Sequence, residues 1–309
     1  MKFDLAPFIH SVTVKKIDML GVKVCQNGEE IGSFRWWQHN DRMNIRSASK
    51  GVISLAAGIA INEGLFQLND TISSFFEGEL PADCDPKWHR MTVRNLLTMA
   101  TGHEIYLLQP AGRDAIGDSW LPYIFSQPIA AEPGARFVYN NAAPYMMSCL
   151  IKKATGQDVR DWLMPRLFEP LGIKNPQWFR CPKGISLGLG GLFLSIDELA
   201  RLGQLCLDRG VWNGHQLVPA EWIDEAGKLQ IKTETTMGNI NKLPEKDFAA
   251  GYGYFFWRNR TEGYRFNGKY GQFCIVLPER NAVVTTTALE EKDEQGILDS
   301  VWEEILPRL

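Results

Sequence analysis

Ser47 and Lys50 are the residues of this sequence whose types and spacing most directly suggest chemistry. They lie three positions apart, so on a helix both side chains occupy one face, within reach of each other. A serine hydroxyl is a poor nucleophile until a neighbouring base accepts its proton. A lysine amine can be that base when burial or a nearby charge keeps it partly neutral. The pair therefore predicts an activated serine, placed where the free N–H groups of a helix's first turn would face developing negative charge.

The same two residues also have an ordinary structural interpretation. Ser47 could cap a helix, and Lys50 could be a solvated side chain of its first turn. An S-x-x-K pattern is expected by chance about once in a chain of this length, and this chain contains it once. These residues alone leave both interpretations open, so downstream residues must decide between them.

Tyr139 and Asn141 form the second candidate pair, in the only Y-x-N pattern of the chain. A phenol close to Lys50 could share or relay the serine proton, and the amide of Asn141 could fix the lysine or hold a substrate carbonyl. The structural alternative is a loop tyrosine followed by an asparagine that forms an Asx turn.

The composition is that of an ordinary soluble globular protein, with 45% hydrophobic and 22% charged residues. A chain of 309 residues is expected to form one large domain or two lobes. The net charge of −3 gives no reason to expect nucleic acid as a partner. The most apolar run, residues 53–61, is about half the length that spans a bilayer, so no membrane span is predicted. No export signal is recognisable in the first thirty residues, which favours a cytoplasmic location.

The six cysteines lie far apart and include no C-x-x-C pair or nearby histidine at ligand spacing. They are therefore interpreted as free thiols, and a zinc site is not expected.

The elements that must position these residues predict an α+β fold. Two short strands flank Asn27-Gly28, a favoured two-residue hairpin turn. Helices with long loops occupy the middle of the chain. Short strands joined by tight turns then return, and such strands imply an antiparallel sheet. These later strands are predicted at residues 252–257, 264–266, 272–277 and 282–287.

Both ends of the chain contribute strands, so the helical middle is predicted to be an insertion. The predicted architecture is an antiparallel β-sheet flanked by helices, with an inserted, mostly helical lobe. Residues 1–72 and 190–309 would form the sheet domain and residues 73–189 the mainly helical domain, with the active site between them. The loop 104–130 and the polar segment 231–250 would bound the pocket.

The combination of motifs resembles the serine β-lactamase-like hydrolases of the class C type. These include class C β-lactamases, D-alanyl-D-alanine carboxypeptidases, family VIII esterases and 6-aminohexanoate-dimer hydrolases. S-x-x-K is the nucleophile motif of such enzymes, and the two motifs come in the order that this family uses. The resemblance covers roughly residues 21–288 and implies a β-lactamase/transpeptidase-like fold. It includes further similar stretches at residues 91–102, 132–141, 190–204, 212–214, 251–254 and 268–272.

This resemblance implies roles for the residues that match the motifs. Ser47 matches the acylating nucleophile and Lys50 the lysine that activates it. Tyr139 matches the tyrosine that moves protons in both half-reactions, and Asn141 is its motif partner. No metal or organic cofactor is implied.

The family's third motif, usually Lys or His, then Thr, Ser or Gly, then Gly, aligns with Phe266-Asn267-Gly268. Gly268 would let the strand approach the substrate. The N–H of Lys269 would pair with that of Ser47 as an oxyanion hole, worth about 3–4 kcal/mol per donor. Phe266 departs from the family, because the cation that meets the carboxylate of penicillins or of D-Ala-D-Ala is missing. Arg265 or Lys269 could replace it only by reaching the cleft, and alternation along a strand makes adjacent residues point opposite ways.

The sequence therefore predicts a serine hydrolase that acts through an acyl-enzyme on a small ester or amide. β-Lactamase and D-alanyl-D-alanine carboxypeptidase activities are the alternatives within the enzyme class. The alternative from another class is a penicillin-binding-type sensor that turns over slowly or not at all, which the altered third motif favours. Whether tyrosinate or neutral lysine is the working base stays open, because the two would titrate as a coupled pair. The natural substrate and the oligomeric state also stay open.

Overall fold

The computed structural model describes residues 3–233 and 246–309. Its largest sheet has six strands, all paired antiparallel. The strands among the described residues are β1 (Met19–Gln26), β2 (Glu29–Arg35), β3 (Met43–Asn44), β4 (Phe193–Leu194), β5 (Val211–Trp212), β6 (His215–Gln216), β7 (Trp257–Arg258), β8 (Tyr264–Gly268), β9 (Gln272–Leu277) and β10 (Ala282–Ala288). The six-stranded sheet has the order β2-β1-β10-β9-β8-β7, while β3 pairs with β4 and β5 with β6.

Both halves of the chain contribute to this sheet, as predicted. β1 and β2 are joined by Asn27 and Gly28, whose φ angles of 52° and 79° are those of the predicted Asn-Gly hairpin turn. The predicted strand at 252–257 is wrong. Phe255 adopts a φ of 62° and its N–H donates to the carbonyl of Leu97, so the chain folds back there and pairs regularly only from Trp257.

Helices occupy the sequence between β3 and β4 and both outer parts of the chain. The α-helices among the described residues are α1 (Ala6–Val14), α2 (Ser49–Asn62), α3 (Ile72–Phe75), α4 (Val93–Leu97), α5 (Arg113–Ile116), α6 (Trp120–Phe125), α7 (Ala142–Thr155), α8 (Val159–Leu163), α9 (Ile196–Leu207), α10 (Ala220–Gly227) and α11 (Glu294–Ser300). Helices α3 to α8 all fall between β3 and β4, which is the predicted helical insertion. The predicted α+β fold class is confirmed, whereas the proposed division into two domains stays a prediction.

No helix in the described part of the chain is both long and apolar enough to cross a lipid bilayer.

The sheet separates two apolar clusters because successive side chains of a strand point to opposite faces. In β9, Phe273 and Ile275 face a cluster that includes residues of α1 and α11. Cys274 and Val276 face the larger cluster, which includes α2, α9 and the apolar side chains of the helical insertion. Helix α2 is buried at every position from Ser49 to Ala60, as expected of a helix that is apolar on most of its surface.

Helix α2 packs unusually close to its neighbours because glycines form part of its surface. A methyl group at Gly51 would lie 2.2 Å from the Cδ1 atom of Phe266, on β8, and 2.9 Å from the ring of Phe256. A methyl group at Gly58 would lie 2.3 Å from the ring of Trp222, on α10. These approaches fix how α2 sits against the sheet, and therefore where its first turn lies.

Replacing Gly51 with alanine should weaken the fold. The added methyl group would overlap two buried rings, and overpacking of this kind costs about 1–3 kcal/mol. We expect the free energy of unfolding in urea to fall by that amount for Gly51→Ala. Gly112→Ala is the control, because its added methyl group meets nothing within 4 Å. Equal unfolding midpoints for the two variants would contradict the packing described.

Candidate active site

Ser47 lies in a short 3-10 turn, Arg46–Ala48, that leads directly into α2. Arg46 has a left-handed φ of 54°, which is uncommon for a residue with a side chain. Side chains hold this turn in place, since the Asn44 Oδ1 atom accepts from the N–H groups of both Arg46 and Gly191, at 2.9 and 3.2 Å. The hydroxyl of Ser49 closes the turn by donating to the Arg46 carbonyl at 2.7 Å. The turn presents the half-exposed Ser47 to a pocket.

Lys50 is buried at the base of this turn, with only 1% of its surface exposed. Its Nζ atom lies 2.9 Å from the Ser47 hydroxyl and donates to the Leu189 carbonyl at 2.8 Å. It forms no ion pair with a carboxylate of the described residues. Burial, and then the nearby Arg113 guanidinium, hold the pKa of Lys50 well below its usual value near 10.5. The interpretation of Lys50 as a solvated side chain is therefore wrong.

Tyr139 brings its phenol to the same point from just before α7. It is 3% exposed, its ring stacks on Trp257 with centroids 5.9 Å apart, and Lys50 Nζ lies 5.0 Å from the ring centroid. Burial raises the pKa of Tyr139, and the neighbouring Tyr106 and Glu294 raise it further, while interaction with the Ser47 hydroxyl offsets part of that rise. The phenol is thus held in its protonated form.

Asn141 is buried beside Tyr139 and is anchored to the loop that precedes α5. Its Nδ2 atom donates to the Leu108 carbonyl at 3.2 Å, and its backbone N–H donates to the Leu107 carbonyl at 3.1 Å. Asn141 therefore does not fix Lys50. Its Oδ1 atom is buried and has no partner among the described residues, so the free atom of this side chain is an acceptor.

The third motif lies at the end of β8, against the Ser47 turn. Gly268 is required there, because a methyl group would lie 2.2 Å from the Ile45 carbonyl. Asn267 is buried, and its side-chain oxygen accepts from Arg265 Nε at 2.8 Å. Phe266, on the opposite side of the strand, packs its ring against Gly51 of α2.

The two candidate replacements for the missing cation have different surroundings. Arg265 is completely buried, where burial lowers its pKa to about 10. Its Nη1 atom donates to the Arg258 carbonyl at 2.8 Å and to the Asn259 side chain at 3.1 Å, and it does not line the pocket. Lys269 does line the pocket, with Nζ 4.9 Å from the ring centroid of Tyr270.

The pocket in front of Ser47 has a volume of about 430 Å³. Of the predicted site residues, Ser47, Asn141 and Lys269 line it, whereas Lys50, Tyr139, Asn267 and Gly268 are not among its described lining residues. The described lining residues are Asn44, Arg46, Ser47, Tyr106, Pro110, Arg113, Asn141, Phe179, Leu187, Leu189, Gly190, Gly191, Lys269 and Tyr270.

Three contributors to this site were not identified from the sequence: Tyr106, Arg113 and the carbonyl of Leu189. The first two lie in the loop 104–130, which was predicted to border the pocket, but no motif singles them out. The Leu189 carbonyl carries no side-chain signal, although the glycines around it indicate close backbone packing. Of the segment 231–250, also predicted to bound the pocket, residues 234–245 lie outside the described residues.

A comparison with known protein families identifies the chain. The family model described as Beta-lactamase matches residues 13–296 of the 309. The chain belongs to the Beta-lactamase family. This confirms the resemblance drawn from its motifs, and it places the chain among serine hydrolases of the β-lactamase fold, a group that includes esterases, amidases and penicillin-binding proteins.

Individual relatives are distant. The lovastatin esterase of Penicillium rubens is 25% identical over 164 residues, which are 46% of this chain and 41% of that protein. Two solved structures share the fold at 19% identity. A Bacillus anthracis protein provisionally named a 6-aminohexanoate-dimer hydrolase has a TM-score of 0.77 over 96% of this chain and 82% of its own. The octameric penicillin-binding protein homologue of Pyrococcus abyssi has a TM-score of 0.76 over 99% and 78%.

The burial of Lys50 predicts a stability effect with a definite sign. The unfolded chain keeps this amine protonated up to about its usual pKa, whereas the folded chain releases the proton at lower pH. Stability should therefore rise with pH between these two pKa values. Lys50→Met removes the cost of burying the amine, so we expect greater stability at pH 7 and a weaker increase towards pH 9, measured by urea unfolding.

Lys183→Met, at an exposed lysine, is the matched control and should leave both the stability and its pH dependence nearly unchanged. A Lys50→Met protein that is less stable than the wild type at pH 7 and equally dependent on pH would contradict this prediction.

Proposed function

We propose that this chain is a serine hydrolase that cleaves small esters or amides through an acyl-enzyme on Ser47. The observation that carries the proposal is the 2.9 Å contact between Lys50 Nζ and Ser47 Oγ, made by a lysine that is buried without a carboxylate partner among the described residues. This arrangement suits proton transfer from the hydroxyl, because a neutral amine can accept it.

Lys50 acts as the base in this proposal. A neutral amine has two N–H bonds and one lone pair. The Leu189 carbonyl accepts one N–H at 2.8 Å, which orients the amine so that its lone pair can face the Ser47 hydroxyl. The hydroxyl then donates its proton to Nζ as its oxygen attacks the substrate carbonyl.

The backbone around Ser47 would stabilise the oxyanion that forms. Gly268 brings β8 against the Ser47 turn, so the N–H groups of Ser47 and Lys269 come from adjoining segments. Neither N–H donates to an acceptor among the described residues, which leaves both available to the substrate. Each donor of such a hole contributes about 3–4 kcal/mol to the transition state.

Tyr139 acts as a proton donor rather than as the base. Burial keeps its phenol protonated, its ring stacks on Trp257, and the phenol interacts with the Ser47 hydroxyl. As the bond from the acyl carbon to the leaving oxygen or nitrogen breaks, the leaving group takes a proton from the Tyr139 and Lys50 pair. Water then attacks the acyl-enzyme by the reverse route, which restores Ser47 and releases the acid.

An ester or amide substrate is favoured over a penicillin or a D-Ala-D-Ala peptide. Phe266 removes the cation from the third-motif position where those substrates are bound, and Arg265 is buried away from the pocket. The cations that line the pocket, Arg46, Arg113 and Lys269, occupy other positions in its wall. The lovastatin esterase and the provisionally named dimer hydrolase support this direction, because their names refer to ester and amide substrates.

A fluorophosphonate probe tests whether Ser47 is the nucleophile. We expect stoichiometric labelling of the wild type and none of Ser47→Ala, with Ser33→Ala, at an exposed serine of β2, as the control that keeps its label. On p-nitrophenyl acetate and butyrate, we expect an initial burst followed by steady turnover. A burst of one equivalent with no further release would favour the sensor, and labelling of Ser47→Ala would remove the proposal.

The pH dependence of kcat/KM tests which group is the base. Activity should rise with pH through the lowered pKa of Lys50, because only the neutral amine accepts the serine proton. Tyr139→Phe should lower kcat/KM about 10²- to 10⁴-fold, the usual contribution of a positioned acid, while the acidic limb stays at the same pH. If that limb disappears in Tyr139→Phe, then tyrosinate is the base.

A further inference from the structure

We propose that Arg113 selects substrates that carry a carboxylate or a similar anion, which its guanidinium binds in the pocket. This inference rests on the proposed function, since it concerns what the Ser47 pocket accepts. It assigns a specificity-determining role to a residue outside all three motifs.

Arg113 faces the pocket from the first turn of α5 and is held firmly in place. Its Nε atom donates to the Leu108 carbonyl at 3.0 Å, and its guanidinium lies 5.9 Å from the ring centroid of Trp120. The side chain is half-buried, so a charge pair here would be screened less than one at the surface.

The outer nitrogens of this guanidinium are unused. Arg113 forms no ion pair with any described carboxylate, and neither Nη atom donates to a described acceptor. An arginine fork with two free nitrogens matches the geometry of a carboxylate, which it can bind through two parallel hydrogen bonds.

The charges around the pocket also favour an anionic ligand. Its lining residues among the described part of the chain include the cations Arg46, Arg113 and Lys269 and no aspartate or glutamate. The nearby Glu294 is not among these lining residues, and its Oε1 atom accepts from the N–H of Tyr270 at 2.9 Å. Arg46 and Lys269 are exposed and both lie against the Tyr270 ring, so Arg113 is the cation best able to bind an anion away from water.

A second unpartnered group lies next to Arg113. The Leu108 carbonyl accepts from both Arg113 Nε and Asn141 Nδ2, and the buried Asn141 Oδ1 atom has no partner among the described residues. The pocket thus offers an anion-binding fork beside an acceptor for an N–H group. Phe266 leaves the third motif, on β8, without its usual cation. Arg113, at the start of α5, still supplies the pocket with a cation.

Matched ester pairs test this selectivity. Anionic substrates are the p-nitrophenyl half-esters of succinic, glutaric and adipic acid, and their neutral counterparts are p-nitrophenyl 4-methylpentanoate, 5-methylhexanoate and 6-methylheptanoate. A second pair, 3-acetoxybenzoate and phenyl acetate, places the carboxylate on the leaving group instead. The readout is the anionic-to-neutral ratio of kcat/KM, after subtraction of spontaneous hydrolysis, so that a general loss of activity cancels.

We expect Arg113→Gln to lower this ratio about 10- to 100-fold in one of the two series, the usual effect of a charge-assisted pair. The ratio for Arg113→Lys should lie between those of the wild type and Arg113→Gln, because lysine keeps the positive charge but loses the two-nitrogen fork. Arg46→Gln is the matched control, since it removes one exposed charge from the same pocket, and it should change the ratio less than about threefold. An unchanged ratio for Arg113→Gln in both series overturns the proposal.

A binding measurement separates this proposal from the failure of catalysis. Glutaramate, which carries a carboxylate and an amide N–H, is titrated by calorimetry into Ser47→Ala and into Ser47→Ala/Arg113→Gln, with thermal unfolding to verify that both fold. We expect at least tenfold weaker binding without Arg113. Equal binding overturns the role of Arg113, whereas Arg113-dependent binding by a wild type that never turns over would contradict only the proposed function.

Discussion

The structure depends on keeping an amine buried next to a hydroxyl with no carboxylate of the described residues to neutralise it. Transfer of a charged amine out of water is expensive, and a neutral amine avoids most of that cost. Lys50 lies in a helix that is buried on every side of its first three turns, and its hydrogen-bond partners among the described residues are the Ser47 hydroxyl and the Leu189 carbonyl. Burial of this amine therefore costs stability locally, and it favours the neutral form that the proposed mechanism requires of a base.

Lys50 is buried where three distant segments of the chain meet: the Ser47 turn with α2, the end of β8, and the segment that contains Leu189 and Gly191. Close approach between their backbones makes this meeting possible. Gly51 admits the ring of Phe266 beside Lys50, and Gly268 admits the Ile45 carbonyl beneath Ser47. Asn44 ties the Ser47 turn to Gly191, next to the carbonyl that binds Lys50. The position of Ser47 is therefore determined by contacts on several sides, which explains how an arginine in a left-handed conformation can be tolerated at the adjacent position.

The sequence revealed the residues with distinctive types and missed those that depend on loop conformation. Ser47, Lys50 and Tyr139 were found because hydroxyl, amine and phenol at these spacings suggest one chemistry. The hairpin at Asn27 followed from local turn preference. The alternation of side chains between the two faces of β8 could also be predicted. Which of those faces is buried depends on how the strand packs against α2. Arg113 could not be recognised, because its position depends on a loop whose course no local pattern determines, and the predicted strand at 252–257 failed because Phe255 bends the chain.

One carbonyl group has a consequence for how this protein could diversify. Leu108, itself in a left-handed conformation with a φ of 55°, offers its oxygen to both Arg113 and Asn141. A rotation of that single peptide plane would displace both side chains together. A loop change that moved Arg113 would therefore also move Asn141. Under the role proposed for Arg113, a change of ligand preference is then less disruptive when the Arg113 side chain is exchanged on an unaltered loop backbone.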